Sequence, residues 1–207
     1  MSEQDPKINW DGYRPPAEAE EAESWQETMA ALEAQFDAHI QDSYQLRCVW
    51  VTGVESAAGL AGFACLHDFS TYTFSLTTGA AAFQIYPQTD EFNALLPELI
   101  PPEEVTDFTK QLATTLEMPV VLFASELKAS ADGQMENGRM SAWVYQPQAQ
   151  VQTLSPALAL MEFDGLVESL LLGIAGVEDL IHHHHSQEPK IIAAVKDIKR
   201  QVDDDET

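Results

Sequence analysis

The chain has 207 residues, of which 45% are hydrophobic, and its 34 acidic against 10 basic residues give a net charge of −24. This length and composition suit one large globular domain with a buried core, and they exclude wholesale disorder. The charge opposes binding to nucleic acid or to an anionic membrane and favours a basic partner, unless it serves solubility alone. A nucleic-acid mimic that inhibits a basic protein is a narrower alternative that the charge permits.

Cysteine content and hydrophobic patterning indicate the compartment. Two cysteines, Cys48 and Cys65, are too few for a disulfide framework and are expected to be reduced thiols. The N-terminus has neither the basic start nor the apolar run of a signal peptide. The most hydrophobic window, residues 158–181, is long enough to cross a bilayer, but its five carboxylates exclude a transmembrane span. We therefore predict a cytoplasmic protein without membrane contact.

The first half of the chain predicts a mobile arm, a helix and a sheet. Residues 1–16 are polar and end in two prolines, as a flexible arm would. Large apolar side chains recur every three or four positions in residues 17–43, which predicts an acidic amphipathic helix. The stretch Leu46–Tyr86 carries only three charged residues between its glycines, which is typical of a buried sheet. Its predicted strands are about 46–54, 61–67 and 70–77, with a further short strand at 82–86.

The second half predicts two strands and three helices. Pro102 begins a helix that ends before Pro119. Turn dipeptides between two apolar runs predict a hairpin of strands. Ser155 and Pro156 begin a long helix, with a break at one of two glycines, and a last helix begins near Pro189. The hairpin strands are 120–127 and 140–145, the long helix runs to about Ile181, and the break is at Gly173 or Gly176.

These elements predict an α+β fold with a mostly antiparallel sheet of about five strands. The element order is α-β-β-β-α-β-β-α, with acidic helices covering the sheet and a C-terminal helical extension. The predicted parts are a flexible arm (1–16), an α+β core domain (17–152), C-terminal helices that pack on the core or on a partner (153–202) and an acidic tail (203–207). This order and the acidity resemble small acidic dimeric chaperones of type III secretion effectors and, more loosely, proteasome-assembly chaperones. The resemblance implies a chaperone or adaptor role.

Cys65, His67 and Asp68 are the best candidates for nucleophilic catalysis. Residues two apart on a strand share a face, so His67 could activate the Cys65 thiol. On a flat strand, however, their Cβ atoms would be about 7 Å apart, a poor geometry for a thiolate–imidazole pair. The favoured interpretation is a core cysteine followed by a turn.

Four adjacent histidines, His182–His185, are the candidate metal ligands. Successive residues of a helix point about 100° apart, so at most His182 and His185 could share a face. No cysteine or third fixed ligand lies nearby in the sequence to complete a zinc site. The run is therefore predicted to be structural or solvent-exposed near a helix C-terminus, and no cofactor is predicted.

The predicted long C-terminal helix carries more large apolar side chains than one sheet face absorbs, which predicts a partner or self-association surface. Its predicted contact residues are Phe163, Val167, Leu170, Leu171 and Ile174. We therefore predict a non-catalytic acidic module of the chaperone, adaptor or immunity-inhibitor kind that binds a basic or apolar protein, with a homodimer through the C-terminal helices as a further interpretation. The alternative is an enzyme that uses Cys65 with His67, or a metal held by the histidine run.

Overall fold

The computed structural model describes residues 44–88, 99–129 and 135–205. Within them the chain forms one seven-stranded antiparallel sheet and five α-helices, which confirms the predicted α+β class. In chain order the elements are β1 Tyr44–Thr52, α1 Ala57–Leu66, β2 Tyr72–Leu76, β3 Gly79–Gln88, α2 Glu103–Leu116, β4 Val120–Ala129, β5 Met135–Tyr145, β6 Gln152–Leu154, α3 Pro156–Leu160, α4 Gly165–Leu171, a 3₁₀ turn Val177–Asp179, β7 His184–His185 and α5 Pro189–Asp205. Across the sheet the strands lie in the order β6-β5-β4-β1-β3-β2-β7.

Strand β1 is the centre of the sheet. It pairs with β3 on one side and with β4 on the other along all 9 of its residues. Its side chains alternate between the two faces, as the sequence predicts, because successive strand residues point in opposite directions. Cys48 and Trp50 belong to the core cluster on one face, and Val49 and Val51 to the cluster on the other. The sheet is therefore covered on both faces.

Helices α1 and α2 cover the first face. Leu60 of α1 and Phe108 of α2 lie in the same buried cluster as Trp50. The indole N–H of Trp50 donates to the hydroxyl of Thr109 at 2.7 Å, a buried hydrogen bond that ties α2 to β1. Helix α4 covers the second face and packs its apolar side chains against β1 and β4.

The strand predicted over residues 61–67 is wrong, because these residues belong to α1 and to the turn after it. The hydroxyl of Ser56 caps the helix and accepts a first-turn N–H at 3.0 Å. The helix is buried on two sides, since Ala64 faces the sheet while Ala61 packs with Ile191 of α5. A helix that is apolar around most of its circumference lacks helical periodicity, and its sequence reads like that of a buried strand.

The long helix predicted from Ser155 to about Ile181 is broken in two places, of which only the one at Gly173 was predicted. The carboxylate of Asp164 caps α4 by accepting a first-turn N–H at 3.1 Å. Gly173 then ends α4 in the left-handed conformation, with φ of 73°. The N–H of Ile174 donates back to the carbonyl of Ser169 at 2.9 Å, which completes a Schellman motif. The apolar pattern continues through both breaks, but the helix does not.

The predicted number of strands and the predicted element order need correction as well. Strands β6 and β7 contain 3 and 2 residues, too few to give an alternating pattern, and they bring the sheet to seven strands. The β4–β5 hairpin and helix α2 are confirmed. Because α1 replaces a predicted strand, the observed order differs from the one that resembles effector chaperones. The predicted arm (1–16) and first helix (17–43) lie outside the described residues. No helix in the described part of the chain is long and apolar enough to span a membrane.

Glu188 connects β7 to the start of α5. Its carboxylate accepts the backbone N–H of His185 at 2.8 Å and pairs with Lys190 at 2.9 Å. These two contacts, the backbone hydrogen bond first, lower the pKa of Glu188 below its ordinary value. A pKa that is lower in the folded chain means that the carboxylate stabilises the fold above its ordinary titration range. That contribution is lost as the pH falls through the folded pKa.

We expect Glu188→Gln to lower the urea midpoint of unfolding at neutral pH. The difference from the unsubstituted chain should narrow once the pH falls below the ordinary glutamate pKa of about 4.3, where the unfolded carboxylate is protonated first, and close when the folded carboxylate is protonated as well. Urea titrations followed by circular dichroism over this pH range measure it. A difference that stays constant down to about pH 3 would show that the charge is not the cause.

Candidate functional site

The predicted catalytic candidates Cys65, His67 and Asp68 lie at the C-terminal end of α1 and in the turn after it. Cys65 is half-buried beside the cluster of Ala61 with α5. The exposed ring of His67 lies on Phe63, with 4.4 Å between ring centroids, and Asp68 has a left-handed backbone with φ of 53°. All three residues are described, and no hydrogen bond or ion pair joins their side chains. The structure therefore does not bring them together as a nucleophile and its base.

The two thiols differ in accessibility. Cys48 is fully buried on β1, and burial raises the pKa of its thiol far above the ordinary value. We expect a disulfide reagent such as DTNB to label one cysteine per native chain, Cys65, and both after denaturation. His67→Ala should change the labelling rate of Cys65 by less than about twofold, because no contact lets the imidazole assist the thiol. A fall of tenfold or more, on the order expected for loss of an activating base, would support the enzyme alternative.

The histidine run lies in a turn and in β7, and not at the end of a helix as predicted. His182 is exposed, with a left-handed backbone of φ 54°. The Nδ1 of His183 donates to the carbonyl of Leu180 at 2.7 Å, while His185 pairs with Tyr72 of β2. Among the described residues, no three His, Cys, Asp or Glu side chains are close enough to hold a metal ion. The pair His182 and His185 thus has no third ligand in that part of the chain.

Three of the five predicted partner-binding residues fill the core. Val167, Leu170 and Leu171 of α4 have no exposed surface and pack against the sheet. Phe163 is half-buried, with its ring edge-to-face with a core phenylalanine at 5.7 Å. Ile174 is 75% exposed. Of the five, Ile174 is the side chain that this fold presents most openly.

Other large apolar side chains are exposed in the same part of the chain. Leu158 is 68% exposed, Met161 80% and Ile181 78%. Leu158 and Met161 are three residues apart at α3, so their side chains are neighbours. The sequence pattern did not predict these exposed side chains. Helical periodicity identifies the apolar residues that cover the sheet, whereas these side chains lie at the ends of short elements. Asp164, a helix-capping residue type within the predicted helix, is the sequence signal that could have separated these exposed side chains from the buried ones.

Carboxylates accompany the exposed apolar side chains. We call residues 158–181 the acidic–apolar segment; it contains no lysine or arginine. Its five acidic side chains are all exposed, and they are Glu162, Asp164, Glu168, Glu178 and Asp179. Charge of a single sign on a surface attracts charged groups of the opposite sign and orients them at a distance.

A buried arginine holds the middle of this segment. Arg47 on β1 is 7% exposed, and its guanidinium donates to the carbonyls of Leu170 at 2.8 Å and of Ala175 at 2.9 Å. The same group lies 5.9 Å from the centroid of the Phe83 ring. Burial lowers the pKa of Arg47, and the nearby carboxylate of Glu178 opposes that effect. Arg47 is thus a cation whose ligands are chiefly backbone carbonyls.

The two carbonyls bracket the turn that ends α4. Carbonyl groups at the C-terminal end of a helix carry partial negative charge, so a cation is favourable there. Arg47 therefore fixes the turn that carries Ile174 at the surface. The sequence did not reveal this role, because the acceptors lie 123 and 128 residues away from the arginine.

Comparison with known proteins gave no relatives: no protein-family model matches the sequence, and neither the curated proteins nor the solved structures contain a match.

Proposed function

We propose that the protein is a non-catalytic binding module whose acidic–apolar segment takes up a basic, amphipathic segment of another protein. The observation that carries the proposal is the exposure of Leu158, Met161, Ile174 and Ile181, each 68–80%, among five exposed carboxylates. A chaperone, an adaptor and an immunity-type inhibitor are the three roles that such a module would serve.

Exposed apolar side chains of this size can contribute to binding, because a partner that covers them removes apolar surface from water. Burying one leucine, isoleucine or methionine contributes about 1.5–3 kcal/mol. A partner that covered Leu158 and Met161 alone would gain enough to offset part of the entropy lost on association. Single exposed residues are ordinary on protein surfaces, but four in one short segment favour a binding role.

The charge of the segment selects the partner. A basic partner is attracted by the five carboxylates, whereas a second copy of this chain would bring the same acidic surface and a further net charge of −24. Lysine or arginine on the polar face of an amphipathic helix, with leucine on the other face, matches both features of the segment.

The test uses a helical peptide with leucines on one face and lysines on the other, titrated by fluorescence anisotropy. Leu158→Ser with Met161→Ser should weaken binding by at least about tenfold, since each change removes apolar contact area without adding charge. Raising the salt concentration should weaken binding further, because the carboxylates are exposed.

The matched control is Ile198→Ser on α5, where an isoleucine is 54% exposed outside the segment. This change should leave the peptide affinity unaltered. Equal losses in the control and in the double variant would show that the peptide binds without using the segment. A stable dimer in light scattering, broken by the double variant, would assign the segment to a second copy instead.

A further inference from the structure

A cavity of about 260 Å³ lies where β2 begins. Tyr72, Phe83, Ile85 and Val177 line it, and all four belong to, or pack against, the core cluster beneath α4. The polar side chains that line it are those of Ser70, Thr71, Gln84 and His185. Apolar walls with a few polar groups are the usual composition of a small-molecule site.

The hydrogen bonds of His185 determine whether His185 and Ser70 present a hydrogen-bond donor or an acceptor to the cavity. Its Nδ1 lies 3.3 Å from the backbone nitrogen of Gln187, and its Nε2 lies 3.3 Å from the hydroxyl oxygen of Ser70. A backbone N–H can only donate, so Nδ1 accepts and the neutral ring carries its proton on Nε2. Nε2 then donates to Ser70, whose own hydroxyl hydrogen remains for another acceptor.

This proton arrangement argues against a serine nucleophile. A general base would have to accept the Ser70 proton at Nε2, the nitrogen that here carries the hydrogen. The pair therefore presents a hydrogen-bond donor to the cavity, through the Ser70 hydroxyl, and not an activated alkoxide.

We infer that this cavity binds a small, neutral, planar molecule that carries a carbonyl or similar hydrogen-bond acceptor. Tyr72 and Phe83 supply aromatic surface, and the Ser70 hydroxyl supplies the donor. An anionic ligand is disfavoured, because no lining residue is lysine or arginine and the chain carries a net charge of −24. The volume is that of a fragment-sized ligand, slightly below the roughly 300–1,000 Å³ of drug-sized pockets. The site does not depend on the proposed binding of a protein.

The probes are benzamide, which is neutral, and benzoate, which has nearly the same shape and a negative charge. Titration of the ¹⁵N-labelled full chain should give saturable amide shifts near Ser70, Tyr72 and Val177 with benzamide, at a dissociation constant on the order of 1 mM. Benzoate should bind several-fold more weakly. Ser70→Ala should weaken benzamide binding by about two- to tenfold, the value of one hydrogen bond.

Two variants control the experiment. Ser75→Ala changes an exposed serine on β2, outside the cavity, and should bind benzamide as the unsubstituted chain does. Val177→Trp should fill the cavity and abolish the amide shifts that benzamide causes. The rest of the amide spectrum should remain that of the folded chain. The inference is overturned if benzamide gives no saturable shifts, if Ser70→Ala binds as well as Ser75→Ala, or if benzoate binds as tightly as benzamide.

Discussion

Replacing Trp50 by alanine is expected to lower the free energy of unfolding by about 4 kcal/mol, among the largest effects of any single substitution in the described core. Trp50 has no exposed surface and lies on the central strand. Its ring meets Phe69 and Phe108 edge-to-face, at 5.3 and 5.7 Å between centroids. The variant would leave a cavity between β1 and α2 that rigid neighbours fill only in part.

The indole hydrogen bond adds a polar contribution to this loss. The hydroxyl of Thr109 donates to the carbonyl of Val105 at 2.6 Å, so its oxygen is the acceptor for the Trp50 N–H. Without the indole, that buried oxygen loses a partner, which costs about 1–3 kcal/mol for a buried group. Trp50→Phe keeps most of the apolar volume, and we expect it to cost about 1–2 kcal/mol.

Urea titrations followed by far-ultraviolet circular dichroism measure both variants without depending on tryptophan fluorescence. The ordering is the critical result: alanine should be clearly worse than phenylalanine, and both worse than the unsubstituted chain. A loss below about 1 kcal/mol for Trp50→Ala would mean that the sheet and α2 are not held together through this side chain.

Trp50 also illustrates how much of the fold could be predicted. A buried strand needs β-branched and aromatic residues on alternating faces, and the segment around Trp50 has them, so the central strand was predicted within two residues of its bounds. Periodicity fails where an element is buried on both sides. Helix α1 is packed between the sheet and α5, so its sequence has no polar face to reveal its helical period.

The sequence did not separate the exposed from the buried apolar residues in the predicted partner surface. A surplus of apolar side chains directed the prediction to the part of the chain around Val167. The residues with the strongest helical pattern, such as Leu170, are those that the sheet buries, because burial is what produces the pattern. Exposed apolar residues such as Met161 need no periodicity, and only the helix ends at Asp164 and Gly173 indicate that they lie apart from the buried stripe.

Arg47→Ala is expected to lower the free energy of unfolding by about 3 kcal/mol and to loosen the turn at the end of α4. The carbonyl of Leu170 keeps a second donor, the N–H of Gly173 at 3.3 Å. Among the described residues the carbonyl of Ala175 has no donor besides Arg47, so the variant leaves it unpaired. Hydrogen bonds from a charged group contribute about 1.5–3 kcal/mol each, and the desolvation of the buried guanidinium offsets part of that sum.

Arg47→Met separates packing from hydrogen bonding. Methionine keeps much of the apolar volume of the arginine stem and removes the buried charge, so we expect it to cost about 1–2 kcal/mol, less than alanine does. Arg200→Ala, which removes a mostly exposed arginine paired with Asp197, should change stability by less than about 0.5 kcal/mol. Urea titrations give the three values on one scale.

Hydrogen exchange then connects this arginine to the proposed function. The amides of Ile174 and Ala175 donate to the carbonyl of Ser169 at 2.9 and 3.0 Å, so they are protected only while the turn is closed. Both Arg47 variants should lose protection there and bind the basic peptide more weakly, even at temperatures where the chain is fully folded. If protection falls but peptide affinity does not, the turn that Arg47 holds is structural, and the peptide contacts lie at Leu158 and Met161 alone. If neither changes, the two carbonyl hydrogen bonds do not hold the turn.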